Sequence, residues 1–186
     1  IDTDAGAYLI SRAGTPGAES VIADDATLSA MTRQQFFKAY AGVDLATFRA
    51  IPGVREVPCV AAVDCSAAMA TEAVHGTGML HVSTDLLLGA GTVLGSPTEP
   101  VLLVVDGVVE FADDVKIHGA VFGNRLTWGG AAGGGFVRGA VMLEGNAVNT
   151  CCGGAGPSLV YDKDVLAYLS LFTGAFAPVP GSWRDY

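Results

Sequence analysis

The sequence predicts an α+β chain that is mostly β: a short β-solenoid, parallel β-helix-like, with short flanking helices and a C-terminal covering helix. Three observations carry this reading. A short pattern recurs as Val105-Asp106-Gly107-Val108-Val109, Ile117-His118-Gly119-Ala120-Val121 and Val137-Arg138-Gly139-Ala140-Val141: apolar, polar, Gly, small or apolar, Val. From Gly76 onward the chain consists of short β runs punctuated by Gly and Pro, with no helical period. Helical spacing is confined to the two ends. Residues 1–75 therefore read as a mixed, partly helical segment, and residues 76–186 as the Gly-rich solenoid with its helix and tail, the whole forming one compact unit.

The opening "IDTDAGAYLISRAG" has no initiating Met and no signal-peptide layout, and reads as the start of a mature or trimmed chain. In "DATLSAMTRQQFFKAYAG", Leu28, Met31, Phe36, Phe37 and Tyr40 recur at helical spacing, with Gly42 as the stop. A second short helix follows in "VDLATFRAIPG", capped at Asp44 or its neighbour and ended by Pro52-Gly53. Apolar residues at this period face a core, so core packing is expected of these aromatics and not a ligand box.

The β region runs through "MLHVSTDLLLGAGTVLG", "VLLVVDGVVEFADDVKIHGAVFG" and "GGFVRGAVMLEG". Solenoid rungs stack about 4.8 Å apart, small residues let the chain turn, and Val or Ile fills the narrow interior. If the repeats are in register, Gly107 and Gly119 occupy equivalent bends, with Gly139 in the next repeat. Asp106, His118 and Arg138 then form a column on one outer edge. A β-sandwich is the rival architecture, but it calls for cleaner alternation over longer strands. The insert "GNRLTWGGAAGGG" spreads the repeat; its "GGAAGGG" reads as a flexible hairpin or rung-to-rung loop, with Trp128 beside it packed at the core or edge, or else exposed as a contact residue.

In "SLVYDKDVLAYLSLFTGAF", Asp162 is an N-cap, Val165, Leu166, Leu169 and Phe172 form one apolar stripe, and Gly174 ends the helix. This helix is expected to cover the open end of the solenoid, where a sheet edge lies bare. The tail "VPGSWRDY" turns at Pro180-Gly181 and is expected to be tied down by burying Trp183.

Half of the 186 residues are hydrophobic and 16% are charged, which suffices for a real core and argues against disorder. A formal net charge of −9 argues against sequence-independent DNA binding and against adsorption to anionic lipid. No run is long enough to cross a bilayer; "PVLLVVDGVVEF" is strand-length and broken by Asp106. Four cysteines permit three pairings. Cys59 and Cys65 suit a local bridge, which favours an oxidising compartment. Cys151 and Cys152 either pair with each other through a strained ring or stay free. A zinc site built from all four competes with the bridge, but the vicinal pair lacks the ligand spacing.

Chemistry finds little support. Asp113-Asp114 suggests an acid pair, yet adjacent strand residues point to opposite faces, and a turn explains "ADD" better. His75, His81 and His118 show no metal-ligand spacing. There is no G-x-S-x-G elbow, and "GGAAGGG" lacks the Lys-Ser/Thr of a phosphate loop. No catalytic residue, cofactor or metal is expected.

Several stretches resemble the soluble head of PilX-type minor pilins of type IV pili, found in Gram-negative bacteria. They are "FFKAYAGVDLATFRAIPGV", "DCS", "GTVLGSPTEPVLLVVDGVVEF", "VKIHGAVFG", "VRGAVMLEGN", "LVYDKDVLAYL" and "VPGSWRDY", covering roughly residues 30 to 186. The phrase around "GSPTEPVLLVVDG" and the ending with Trp183 and Arg184 are its specific parts. The resemblance implies a non-enzymatic pilus subunit, held first in the inner membrane by an N-terminal hydrophobic helix with its head in the periplasm, and later part of the surface fibre. Its partners would be other minor pilins and tip proteins in a complex that primes assembly and supports motility and adhesion. Direct nucleic-acid contact is not expected, and membrane contact would come only through that helix, which this sequence lacks. The alternative is a β-helix enzyme or binding module acting on cell-surface polysaccharide, which would need an acid pair and aromatics lining a groove.

Overall fold

The computed structural model describes residues 30–75, 77–129, 134–145, 147–149 and 158–173. Cys151, Cys152, Trp183 and Arg184 lie outside them, as do Leu28 and Gly174.

Helix α1 spans Arg33–Ala41 and α2 spans Leu45–Arg49. Thr32 caps α1 in a reciprocal capping box with Gln35, and Gly42 ends it in the left-handed conformation. The box places the start of α1 at Thr32, so the apolar period upstream of it runs past the helix. Asp44 caps α2 by accepting from Thr47 N–H at 2.8 Å.

Among the described residues all strand pairings are parallel. One sheet runs in the order β1 (Arg55–Glu56), β2 (Met79–Val82), β5 (Val101–Val105), β7 (Lys116–Gly123), β9 (Phe136–Leu143) and β11 (Ser158–Tyr161), with β4 (Val93–Leu94) also paired to β7. The other runs β10 (Ala147–Asn149), β8 (Arg125–Trp128), β6 (Val108–Phe111) and β3 (Leu86–Leu88). Each turn of chain contributes a strand to both sheets, so the architecture is the solenoid and not the sandwich. Its interior is packed with Leu80, Leu103, Val121, Val109, Leu126 and like residues from both sheets. Trp128 is buried there, edge-on to Phe111 at 4.9 Å between ring centroids.

The register corrects two expectations. Gly119 pairs with Gly139 in mid-strand and with Val101 on its other side, whereas Gly107 sits at the corner between β5 and β6, against Asp85. Gly107 and Gly119 are therefore not equivalent bends. His118 does stand beside Arg138, but Asp106 belongs to the β5 corner and does not join their column. The pattern falls at different places along the rung: Gly119 stands opposite Val101 inside the wall, whereas Gly107 follows the end of β5 and lies beside Asn124. Between β4 and β5 the chain leaves the wall in a turn closed by Ser96 and Glu99, which the next rung lacks.

Gly119 and Gly139 lie at φ of 144° and 133°. A Cβ at Gly119 would overlap the Val101 carbonyl, and one at Gly139 would overlap the Gly119 carbonyl. Glycine is required at both by close stacking as well as by backbone conformation.

The outer face of the larger sheet is apolar too, and helices cover it. Leu102, Val104, Ala120 and Phe122 face Phe37 of α1, Phe48 of α2 and Leu169 of α4 (Lys163–Thr173). Asp162 caps α4 as expected, accepting from Asp164 and Val165 N–H. Helix α4 packs on β7 and β9, so it covers this face and not the open end of the solenoid. The end at the first rungs is closed by a helix the periodicity did not reveal, α3 (Ser66–His75), whose Met69 enters the interior cluster.

Candidate functional site

The charged side chains that the fold gathers lie where β5 turns into β6. Asp106 interrupts an apolar run, so its carboxylate emerges at the corner beside the covering helices. Arg33, the first residue of α1, donates to the main-chain oxygens of Val105 at 2.8 Å and Asp106 at 3.0 Å, and its guanidinium stands 5.4 Å from the Phe122 ring centroid. It also pairs with the Asp106 carboxylate at 3.4 Å and with Glu144 at 2.7 Å. Arg49, the last residue of α2, meets the second Asp106 oxygen at 2.5 Å. Next to it lies His81 of β2, 3% exposed. His81 Nε2 lies 3.2 Å from Arg49 Nε, and its Nδ1 meets the carboxylate of Glu56 of β1. Asp106 Oδ2 is also 3.2 Å from Nε2.

Burial pushes the Asp106 carboxyl up, but hydrogen bonds from Arg49 and His81 and the nearby positive charge outweigh it and hold the group below the usual aspartate range. Burial raises Glu144; Arg33 opposes this and the Asp106 charge adds to it. The groups satisfy one another. What the arrangement does chemically is clamp α1 and α2 to a sheet corner through charge-assisted hydrogen bonds.

Other candidates fall elsewhere. Asp113 and Asp114 form a turn, Asp114 at φ 56°, with Asp114 paired to Lys116 at 2.9 Å. His118 stands edge-on to Phe136, which Arg138 also covers. Its Nδ1 is buried without a partner, and burial, reinforced by Arg138 against Asp162, pushes its pKa down. Cys59 and Cys65 are bridged. Ser66 Oγ donates to Asp64, and Thr92 Oγ donates to Ser66, tying the start of α3 to the first rungs. Among the described residues no group of His, Cys, Asp or Glu is arranged to hold a metal, and no helix is long and apolar enough to cross a membrane.

Sequence reasoning found Asp106 as an interruption in an apolar run and placed it in an outer-edge column, not among these partners. It missed Arg33, Arg49, Glu56 and Glu144 because pairing across such separations leaves no local pattern.

No protein-family model matches the chain, and no curated protein or solved structure is similar to it.

Proposed function

We propose that this chain is the head of a PilX-type minor pilin: a structural, non-catalytic subunit of a type IV pilus that works with other minor pilins and tip proteins in priming the fibre. One observation supports this reading above the rest. The most specific stretch of the resemblance, "GSPTEPVLLVVDG", folds into β5 and the corner at which Asp106 holds α1 through Arg33. On this reading the membrane helix would precede α1 in sequence, so the stretch would help set how the head sits on its stem.

On this reading the head lies first in the periplasm, carried by an inner-membrane helix, and ends on the cell surface. The test is complementation of cells lacking the full gene. The head alone is expected to leave pili and twitching motility absent, and the gene with an upstream hydrophobic helix to restore both. Full rescue by the head alone would overturn the pilin reading and promote binding of surface polysaccharide.

A further inference from the structure

At the capped end of the solenoid, Pro58 and the whole run Val60-Ala61-Ala62-Val63 are exposed, Val60 at 64% and Val63 at 55%. Four consecutive apolar residues in water are unfavourable unless something covers them. Nor is the run a loose loop: the Cys59–Cys65 bridge closes it, and Ala62 holds the left-handed conformation at φ 61°. It leads straight into α3, whose Ala67, Ala70 and Val74 are exposed on one side, at i, i+3 and i+7. Ala67 and Ala70 border an open cleft of about 350 Å³ shared with Val93 of β4, itself 56% exposed. The result is a convex, pre-shaped apolar knob with a small-residue shelf beside it.

The charges around the knob select its partner. Asp64 lies in the loop, and its carboxyl is held below the usual range by hydrogen bonds from Ser66. Asp85 follows Thr84, whose hydroxyl donates to the Cys59 carbonyl, and its own carboxylate accepts from Val108 N–H of the next rung at 2.7 Å. Among the described residues, Arg55 at this end is paired with Glu72 at 3.2 Å. The rim is therefore acidic, which disfavours an anionic membrane surface and a second copy of this chain, itself at net charge −9.

We propose that the Val60–Val63 knob docks into an apolar pocket on another protein, with the pocket's rim carrying Lys or Arg opposite Asp64. A closed, pre-shaped loop loses little freedom on binding, which is the physical use of bridging so short a segment. This inference stands apart from the pilin reading.

The test places a photo-crosslinking phenylalanine at position 70, in full-length protein made in its native cells, with a control at Glu110 on the other sheet. One partner protein should be captured from position 70 and not from 110, through an apolar peptide flanked by Lys or Arg. The V60D/V63D double variant, both sites being exposed, should melt like wild type yet lose at least tenfold of the crosslink, while V60L/V63L keeps it. An undiminished crosslink in V60D/V63D, capture of a second copy, capture equal from both positions, or wild-type flotation with phosphatidylcholine–phosphatidylglycerol vesicles would each overturn the proposal. A captured partner unrelated to pili would support the knob and count against the pilin reading, so the two fail separately.

Discussion

Arg33 and Asp106, 73 positions apart in sequence, form a clamp in which one guanidinium reads both the main chain and the carboxylate of the same residue. Arg49 closes the clamp from a second helix. Asp106→Asn keeps the shape but removes the charge that two arginines share, and should cost about 1–3 kcal/mol, the range for hydrogen bonds to charged groups and for partners left unpaired. Urea unfolding would measure it; an unchanged midpoint would make the clamp incidental.

The same pair sets an acid dependence. Asp106 titrates below its ordinary value of 3.8 in the folded chain, so its contribution is present above that value and is lost as pH falls through the lower folded one. Glu144 has the opposite sign: its folded pKa is raised above 4.5, so its contribution is present below 4.5 and is lost as pH rises through the folded value. Stability–pH profiles of Asp106→Asn and Glu144→Gln should therefore flatten on opposite sides of this region. Parallel profiles would contradict the assignment.

Glycine substitutions should sort by position. Gly119→Ala and Gly139→Ala drive a methyl into a neighbouring carbonyl from a backbone geometry that already disfavours side chains, and should each cost roughly 3–5 kcal/mol or prevent folding. Gly91→Ala meets open space at φ 76° and should cost about 1 kcal/mol. Gly129, with open space and no positive φ, should accept Ala within about 0.5 kcal/mol. Thermal denaturation of the four variants tests the order.

The Cys59–Cys65 bridge spans a sequence separation of only 6, and a loop that short is worth about 2 kcal/mol of chain entropy. A non-reduced digest should contain the linked peptide. Reduction should lower the melting temperature without abolishing folding, because Met69 still plugs the interior.

How far the sequence was readable depended on the range of each interaction. The solenoid was legible because Val and Gly recur wherever rungs stack. The caps Thr32 and Asp162 and the Cys59–Cys65 bridge lie within a few positions of what they hold, although only Asp162 and the bridge were singled out in advance. Helix α3 stayed hidden because its face is built largely of Ala, which gives little contrast between buried and exposed sides. The equivalence drawn between Gly107 and Gly119 rested on sequence likeness alone: the same short pattern straddles the β5–β6 corner in one rung and lies inside β7 in the next. The clamp was invisible for the opposite reason: its members share no local context at all.

The double covering of the larger sheet has a consequence for the order of folding. The seat on which α1 and α2 rest is built from Leu102, Val104, Ala120 and Phe122, residues made long after the helices themselves. Such distant, parallel pairings form slowly. The helices that leave the ribosome first are thus the last to find their place, and until then their aromatic faces need a temporary host. Pulse-labelled amide exchange should show β5 and β7 protected before α1.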